Sequence, residues 1–329
     1  MNRREHGFPS VADKVPFIVG AYAAMPSDPV SREEFSRILR EADWIHGLEI
    51  PFPGEFETEL DRLAASLAPG WVANTITAIP GTMVRLQANP DFGLASPDAD
   101  GRAQAVAFAA DVRTAILRLA DRVGRQSVKY VQLHSAPSRV AQPDALATSL
   151  MELLGWDWVG AELVIEHCDR HIVGRTPEKG FLPVDDEIEV AARVGVGVHI
   201  NWGRSCLEGR DPEGPQRDIT EARARGVLRG VVFSGASGAD SPYGPAWADA
   251  HLPAAPDEPT SLMGQLQIAA SAERALRSDL LGSPAAYLGA KISAPSHASP
   301  QERLGMLQTI ASAASTRHVE GGSALSGVS

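Results

Sequence analysis

Apolar residues in this chain come in short dense runs, separated by longer stretches in which they recur every three to four positions. The dense runs, rich in Val, Ile, Leu and aromatics, predict β-strands at residues 16–22, 44–52, 71–80 and 128–135, then at 161–168, 196–203, 228–235 and 286–293. The stretches between them predict helices. Residues 31–42, SREEFSRILREA, open on Ser31 with Glu34 three positions later, the spacing of a capping box. Residues 101–124 keep apolar side chains at helical spacing from Ala105 to Val123. Further helices are expected at 184–195 and 299–314, and a short one at 218–226. After the seventh strand the next helix is reached only through a long loop of Gly, Pro and Asp.

Eight strands, each followed by a helical stretch, predict an α/β fold of the (β/α)₈ barrel type. One barrel domain over residues 16–315 is expected, with an N-terminal extension at 1–15 and a flexible, Gly/Ser-rich tail at 316–329. A doubly wound open sheet would carry a Gly-rich first turn. The segment after the first strand, GAYAAMPSDP, is not G-x-G-x-x-G, so no nucleotide cofactor is expected.

Composition narrows the function without naming it. The chain has 329 residues, is 44% hydrophobic and carries a net charge of −11, which argues against nucleic acid or an anionic membrane as partner. Cys168 and Cys206 are the only cysteines and form no C-x-x-C pair, which removes a disulfide framework or a structural zinc site. No apolar run approaches the ~18 residues of a membrane helix and no secretory signal is visible, so a cytoplasmic location is expected.

The chemistry collects at the C-terminal ends of the strands, where barrels of this kind build their sites. The second strand ends with Glu49 and the fourth with Gln132 and His134. The fifth ends with Glu166, the sixth with His199 and Asn201, the seventh with Ser234 and the eighth with Lys291. Alternation along a strand puts Gln132 and His134 on one face, and His199 and Asn201 on one face opposite Val198, Ile200 and Trp202. Glu166 points inward with Val164, and His167 faces the helix side or the rim. Glu166, Glu49, His134 and Lys291 are the candidate catalytic groups. Gln132, His199, Asn201, Trp202, Arg204 and Ser234 are the candidate substrate contacts, with Trp202 and Trp247 placed to stack on a sugar face. A solvated surface is the plainer expectation for Arg204 and Lys179. Ser234, Gly235 and Ser237 could cradle an anion through backbone N–H groups.

The segments GLEIP, LVIEH and GVHIN resemble the xylose isomerase-like barrels, which include sugar isomerases and epimerases and endonuclease IV. More closely, LEIPF, IPGTM, FGLASPD, LHSAP, KGFLP and HINWGRS resemble an uncharacterised domain-of-unknown-function family within that superfamily. The likeness spans residues 16 to 315 and implies the fold. It also implies a divalent metal (Mn, Mg or Zn) held by groups on strands five to eight, for which Glu166 and His199 match. The seventh strand offers Ser234 and the eighth Lys291, so that ligand set is incomplete, and an ammonium repels a dication.

Three readings stay open: a sugar isomerase or epimerase with a carboxylate base and Lys291, His134 or His199 at the carbonyl oxygen; a metal-independent lyase or hydrolase on a sugar derivative; and a non-catalytic sugar-binding barrel. The expected partner is a small sugar or polyol. Homo-oligomerisation stays open, because nothing identifies an interface.

Overall fold

The computed structural model of the chain describes residues 15–279 and 282–316. The expected N-terminal extension and C-terminal tail therefore lie outside the described residues, apart from Val15 and Thr316. Eight parallel strands close into a barrel in sequence order. They are β1 (Phe17–Val19), β2 (Gly47–Pro51), β3 (Thr75–Thr77) and β4 (Tyr130–Leu133), then β5 (Glu162–Glu166), β6 (Gly197–Asn201), β7 (Leu228–Phe233) and β8 (Tyr287–Ala290). Each lies inside one of the eight expected runs and is shorter, because the ends of the runs pass into loops or, as at Ile79 and Trp202, into the next helix. Closure pairs Phe17 with Leu288, Ile18 with Gly289 and Val19 with Ala290.

Helices α1 (Pro29–Glu41), α2 (Gly54–Thr58), α3 (Leu60–Ser66), α4 (Ile79–Ala88), α5 (Ala99–Val123) and α6 (Pro143–Leu154) cover the first half of the barrel. They are followed by α7 (Val184–Val194), α8 (Trp202–Gly209), α9 (Gly214–Ala224), α10 (Gln265–Leu276) and α11 (Pro300–Ser315). Two local expectations are corrected. The N-cap of α1 is Asp28 rather than Ser31: its carboxylate accepts from Ser31 N at 2.8 Å and Pro29 takes the first turn. Proline suits that position because it has no N–H to leave unpaired. The capping box sits instead at Ser299 and Glu302, opening α11. The short helix after the sixth strand becomes two, α8 and α9. Helix α8 starts directly on β6 because the Asn201 side chain accepts from Arg204 N at 3.3 Å.

Strand alternation divides the apolar residues into two packed layers. Outward residues such as Val131, Leu133, Ile165, Val198 and Ile200 join the large core between sheet and helices. Inward residues Ile18, Ala73, Tyr130, Val164 and Tyr287 form a small separate cluster that fills the barrel below the mouth. The Tyr130 and Tyr287 rings lie 4.5 Å apart within it. Gly230 is what makes room: it pairs with Tyr287 across β7 and β8, and a Cβ there would fall 2.2 Å from the Tyr287 ring.

Gly230→Ala is therefore expected to destabilise the fold by about 1–3 kcal/mol through overpacking. Gly305→Ala, on an exposed turn of α11 with nothing near its added Cβ, should stabilise it by about 0.5–1 kcal/mol. Urea denaturation midpoints of the two variants against the parent check both signs.

Candidate active site

At the C-terminal end of the barrel, six strands converge on a buried polar cluster above the Tyr130 and Tyr287 floor. Its centre is the ammonium of Lys291, which follows β8. Lys291 Nζ donates to Glu49 Oε1 at 2.9 Å and to Glu166 Oε1 at 3.4 Å, and all three side chains are buried. Burial opposes the charge of Lys291, yet Glu166 and Glu49 outweigh it and hold the amine protonated well above its ordinary range. Lys291 is thus a fixed cation here and not a free amine, which removes the imine chemistry a neutral lysine would allow.

Glu166 has a full set of partners. Its Oε1 takes Arg204 Nη1 at 2.7 Å beside Lys291. Its Oε2 takes His134 Nε2 at 2.8 Å and Thr77 Oγ1 at 3.1 Å. Burial would raise its pKa, but Arg204 and then Lys291 reverse the effect and hold it well below the carboxylate range. Glu49 has fewer partners: Lys291 and the Tyr22 hydroxyl (3.2 Å) on Oε1, and Gln132 Nε2 (3.3 Å) on Oε2.

The histidines of the cluster are neutral. Burial pushes His134 down despite its bond to Glu166. Burial likewise pushes His199 down to about 4 against the pull of Glu166 and Glu49. A carboxylate can only accept, so His134 donates from Nε2. His199 lies beside Glu166 across β5 and β6, and its Nδ1 is 2.7 Å from the Tyr287 hydroxyl.

Further charge comes from the segment after β7. Asp249 accepts from Arg204 Nε at 3.2 Å and pairs with Lys179 at 3.3 Å. His251 Nδ1 lies 2.8 Å from Ser234 Oγ, and His251 O accepts from Ser293 N at 2.6 Å. Trp247 and His251 in this segment hold positive φ, 65° and 53°, a conformation that costs a non-glycine residue energy. Three carboxylates (Glu49, Glu166, Asp249) thus face three cations (Lys291, Arg204, Lys179). Asp169, a further buried carboxylate, accepts from the backbone N–H groups of Glu178 and Lys179 beside them.

Glu49, Glu166, Gln132, His134, His199 and Lys291 come together here as expected. Others are placed differently. Trp202 is completely buried and its Nε1 donates to Ser271 Oγ of α10 at 3.2 Å, so it packs toward the helices and has no face for a sugar. Strand parity explains this, since Trp202 alternates with Asn201. Arg204 is not a solvated surface residue but 1% exposed, clamped between Glu166 and Asp249. Its position one turn into α8 aims it back over the barrel. Asn201 caps α8 with its oxygen. The anion cradle at Ser234, Gly235 and Ser237 is not formed, because Gly235 N donates to Leu252 O at 2.8 Å and the Ser237 hydroxyl is bonded to Ala239.

Sequence reasoning missed Tyr22, Thr77, Tyr287, Asp249 and His251. Tyr287 was accessible in principle, since it lies four residues before Lys291 and shares its strand face. Thr77 likewise ends β3. Asp249 and His251 stand in a long irregular loop with no periodicity to place them.

On the outer side of β5, His167 and Glu187 form a separate buried pair at 2.7 Å. Glu208 lies 3.6 Å from the other ring nitrogen, and the Ser135 hydroxyl donates to Glu187. Burial opposes the imidazolium, but Glu187 and Glu208 outweigh it and raise His167 well above its ordinary value. The pair ties β5 to α7 and α8, outside the mouth.

Glu49, Glu166 and His199 bring ligand atoms within 4.8 Å of one another, a buried donor set of the kind that could hold a divalent metal. As arranged, the set does not fit one. Both carboxylates already hold the Lys291 ammonium, so a dication would have to displace it or add its charge to a balanced, buried site.

The chain belongs to the family described as a domain of unknown function, DUF4862, whose family model matches residues 18–306. It is 37% identical over 262 residues to an uncharacterised protein of Salmonella typhimurium strain LT2, covering 77% of this chain and 83% of that one. Among solved structures it is similar to an L-ribulose 3-epimerase, with a TM-score of 0.52 and 16% identity over 91% of each chain. It is also similar to an AP endonuclease family 2 protein from Brucella melitensis, with a TM-score of 0.54 and 14% identity over 88% of this chain and 96% of that one. At these identities the likeness carries the fold alone, a (β/α)₈ barrel.

Two measurements probe this architecture. Lys291→Gln leaves the buried Glu49 without a cation and Glu166 with Arg204 alone, which should cost about 3–5 kcal/mol. Added Mn²⁺ or Zn²⁺ should then raise the variant's melting temperature while leaving the parent's unchanged. No metal-dependent recovery would mean that the donor set cannot hold an ion even when vacated. For His167 the folded pKa is raised, so its stabilisation is complete below the unfolded value of about 6.5 and fades as pH climbs through the folded one. Unfolding free energy of the parent should fall relative to His167→Gln as pH rises above about 6.5; parallel curves would contradict the pairing.

Proposed function

We propose that this protein is a sugar isomerase or epimerase-like enzyme that moves a proton at a carbon next to a carbonyl, with Lys291 as a built-in cation in place of a metal. The observation that carries the reading is the pairing of a carboxylate that has an open lone pair with an ammonium that has an open N–H. An ionised carboxylate offers about four acceptor positions. Glu166 uses all four, on Arg204, Lys291, His134 and Thr77. Glu49 uses three, on Lys291, Tyr22 and Gln132. The base role expected for Glu166 therefore passes to Glu49, and Glu166 becomes the anchor that fixes both cations.

In this scheme the C–H bond of the substrate breaks and its proton goes to Glu49 Oε2. The C–H electron pair becomes a C=C bond as the carbonyl π pair moves onto the oxygen, giving an enediolate. Lys291 has three N–H donors and uses two on the carboxylates, so the third meets the growing oxygen charge in a water-poor site. Return of the proton from Glu49 to the neighbouring carbon, as a proton passes between the two enediol oxygens, gives an isomer; an epimer requires a second donor that protonates the original carbon from the opposite face. A mouth whose central charges are already paired with one another suits an uncharged sugar. Entry requires the segment over the mouth to lift, which breaks the Asp249–Arg204 pair and closes again on the bound ligand.

The lyase reading shares the first step and diverges at the second, where loss of a neighbouring hydroxyl replaces return of the proton. One experiment separates the readings. The protein is incubated in D₂O with a panel of neutral ketoses and aldoses, and carbon-bound deuterium is followed by NMR. Stereochemically altered or isomerised sugar carrying deuterium next to the carbonyl is the expected outcome, persisting after chelator treatment. Glu49→Gln should lower the rate by about 10²–10⁴-fold. Dehydrated product points to a lyase, and no exchange with any sugar, despite binding, points to a non-catalytic barrel.

A further inference from the structure

The hydrogen bonds around His199 have a direction that fixes where its proton sits. Glu49 Oε2 lies 3.3 Å from Gln132 Nε2. A carboxylate oxygen only accepts, so the nitrogen of the Gln132 amide must face it; the reversed amide would set oxygen against oxygen. The same Nε2 lies 3.3 Å from His199 Nδ1. An amide nitrogen only donates, so Nδ1 of His199 is an acceptor. The Tyr287 hydroxyl, 2.7 Å away, therefore also donates to it. A ring nitrogen that accepts carries no proton, and the imidazole must then bear its proton on Nε2. That atom is buried and has no hydrogen-bond partner among the described residues. The Gln132 side-chain oxygen is likewise buried without a partner among the described residues.

Buried donors are seldom left unmade, because an unpaired buried N–H costs about 1–3 kcal/mol. Here the strands impose it. Tyr287 is pinned by Tyr130 and by the space at Gly230, and Gln132 is pinned by Glu49. We propose that His199 is held as the Nε2–H tautomer by Tyr287 and Gln132 acting as positioning residues, and that this N–H is the preformed donor for an oxygen of the bound substrate. The second half rests on the isomerase reading; the tautomer does not. The assignment also removes His199 from the metal donor set, since Nδ1 is occupied by two donors and Nε2 holds a proton.

The test needs no substrate. In the ¹⁵N-labelled full chain, correlations of ring nitrogens to carbon-bound protons distinguish the two neutral tautomers, and loss of signals in His199→Gln assigns them. The expected pattern is a protonated Nε2 and an unprotonated Nδ1. A protonated Nδ1 would overturn the proposal. In Tyr287→Phe combined with Gln132→Met, both donors to Nδ1 are gone and a mixture of tautomers should appear. An unchanged single tautomer there would remove the positioning role. In the deuterium-exchange assay, His199→Leu should lose on the order of 100-fold or more, and His199→Gln, which keeps an amide donor, should lose less. Absence of exchange in the parent would defeat the isomerase reading while leaving the tautomer result standing.

Discussion

An ammonium buried where water cannot reach it must be answered by charge on every side, and Lys291 sets that requirement for the whole mouth of the barrel. Glu49 and Glu166 supply the answer. Two carboxylates within reach of each other in turn need more than one cation, which is why Arg204 is drawn out of the first turn of α8 and onto Glu166. Arg204 then needs Asp249, and Asp249 brings the segment after β7 down over the site. The closure of the mouth is a chain of charge pairs that begins at one lysine. Isolated buried charges are too costly to persist, so each member of this chain constrains the next.

The same chain of pairs is what lets the proposed chemistry run without a metal ion. A dication and an ammonium are alternative ways of neutralising two facing carboxylates. With Lys291 just after β8 and Ser234 just after β7, the protein has the covalently attached version. Such a cation cannot exchange or be chelated, and it can donate three directed hydrogen bonds. It also cannot expand its coordination, so the geometry around it must come from neighbours. Gln132, Tyr22, Thr77 and the two inward histidines provide that geometry.

Beneath the charges lies an apolar floor that is equally specific. Tyr130 and Tyr287 fill the barrel, and Tyr287 extends one hydroxyl upward to His199. Packing and polarity meet in that residue: its ring belongs to the interior cluster, and its oxygen orients a group of the mouth. On the outer face of β5, the buried His167–Glu187 pair performs a separate structural task, holding helices to the sheet one residue away from Glu166.

The local pattern of the chain was enough to determine the barrel and the inward set at its strand ends. Period-two alternation alone puts Glu49, Gln132, Glu166, His199 and Lys291 in one place once eight strands close on themselves. It even contained the correction to Trp202, whose parity points it outward. What the pattern could not carry is partnership between distant segments. Nothing local distinguishes Arg204 in a buried clamp from an arginine in solvent, or Asp249 and His251 from other polar residues of a long loop. Nor could the sequence say that Glu166 is saturated and Glu49 is not. Periodicity reports which face of an element a residue occupies, because that depends on backbone geometry a few residues long. Which charge meets which is decided only when desolvation at the closed mouth forces every buried ion to find a partner.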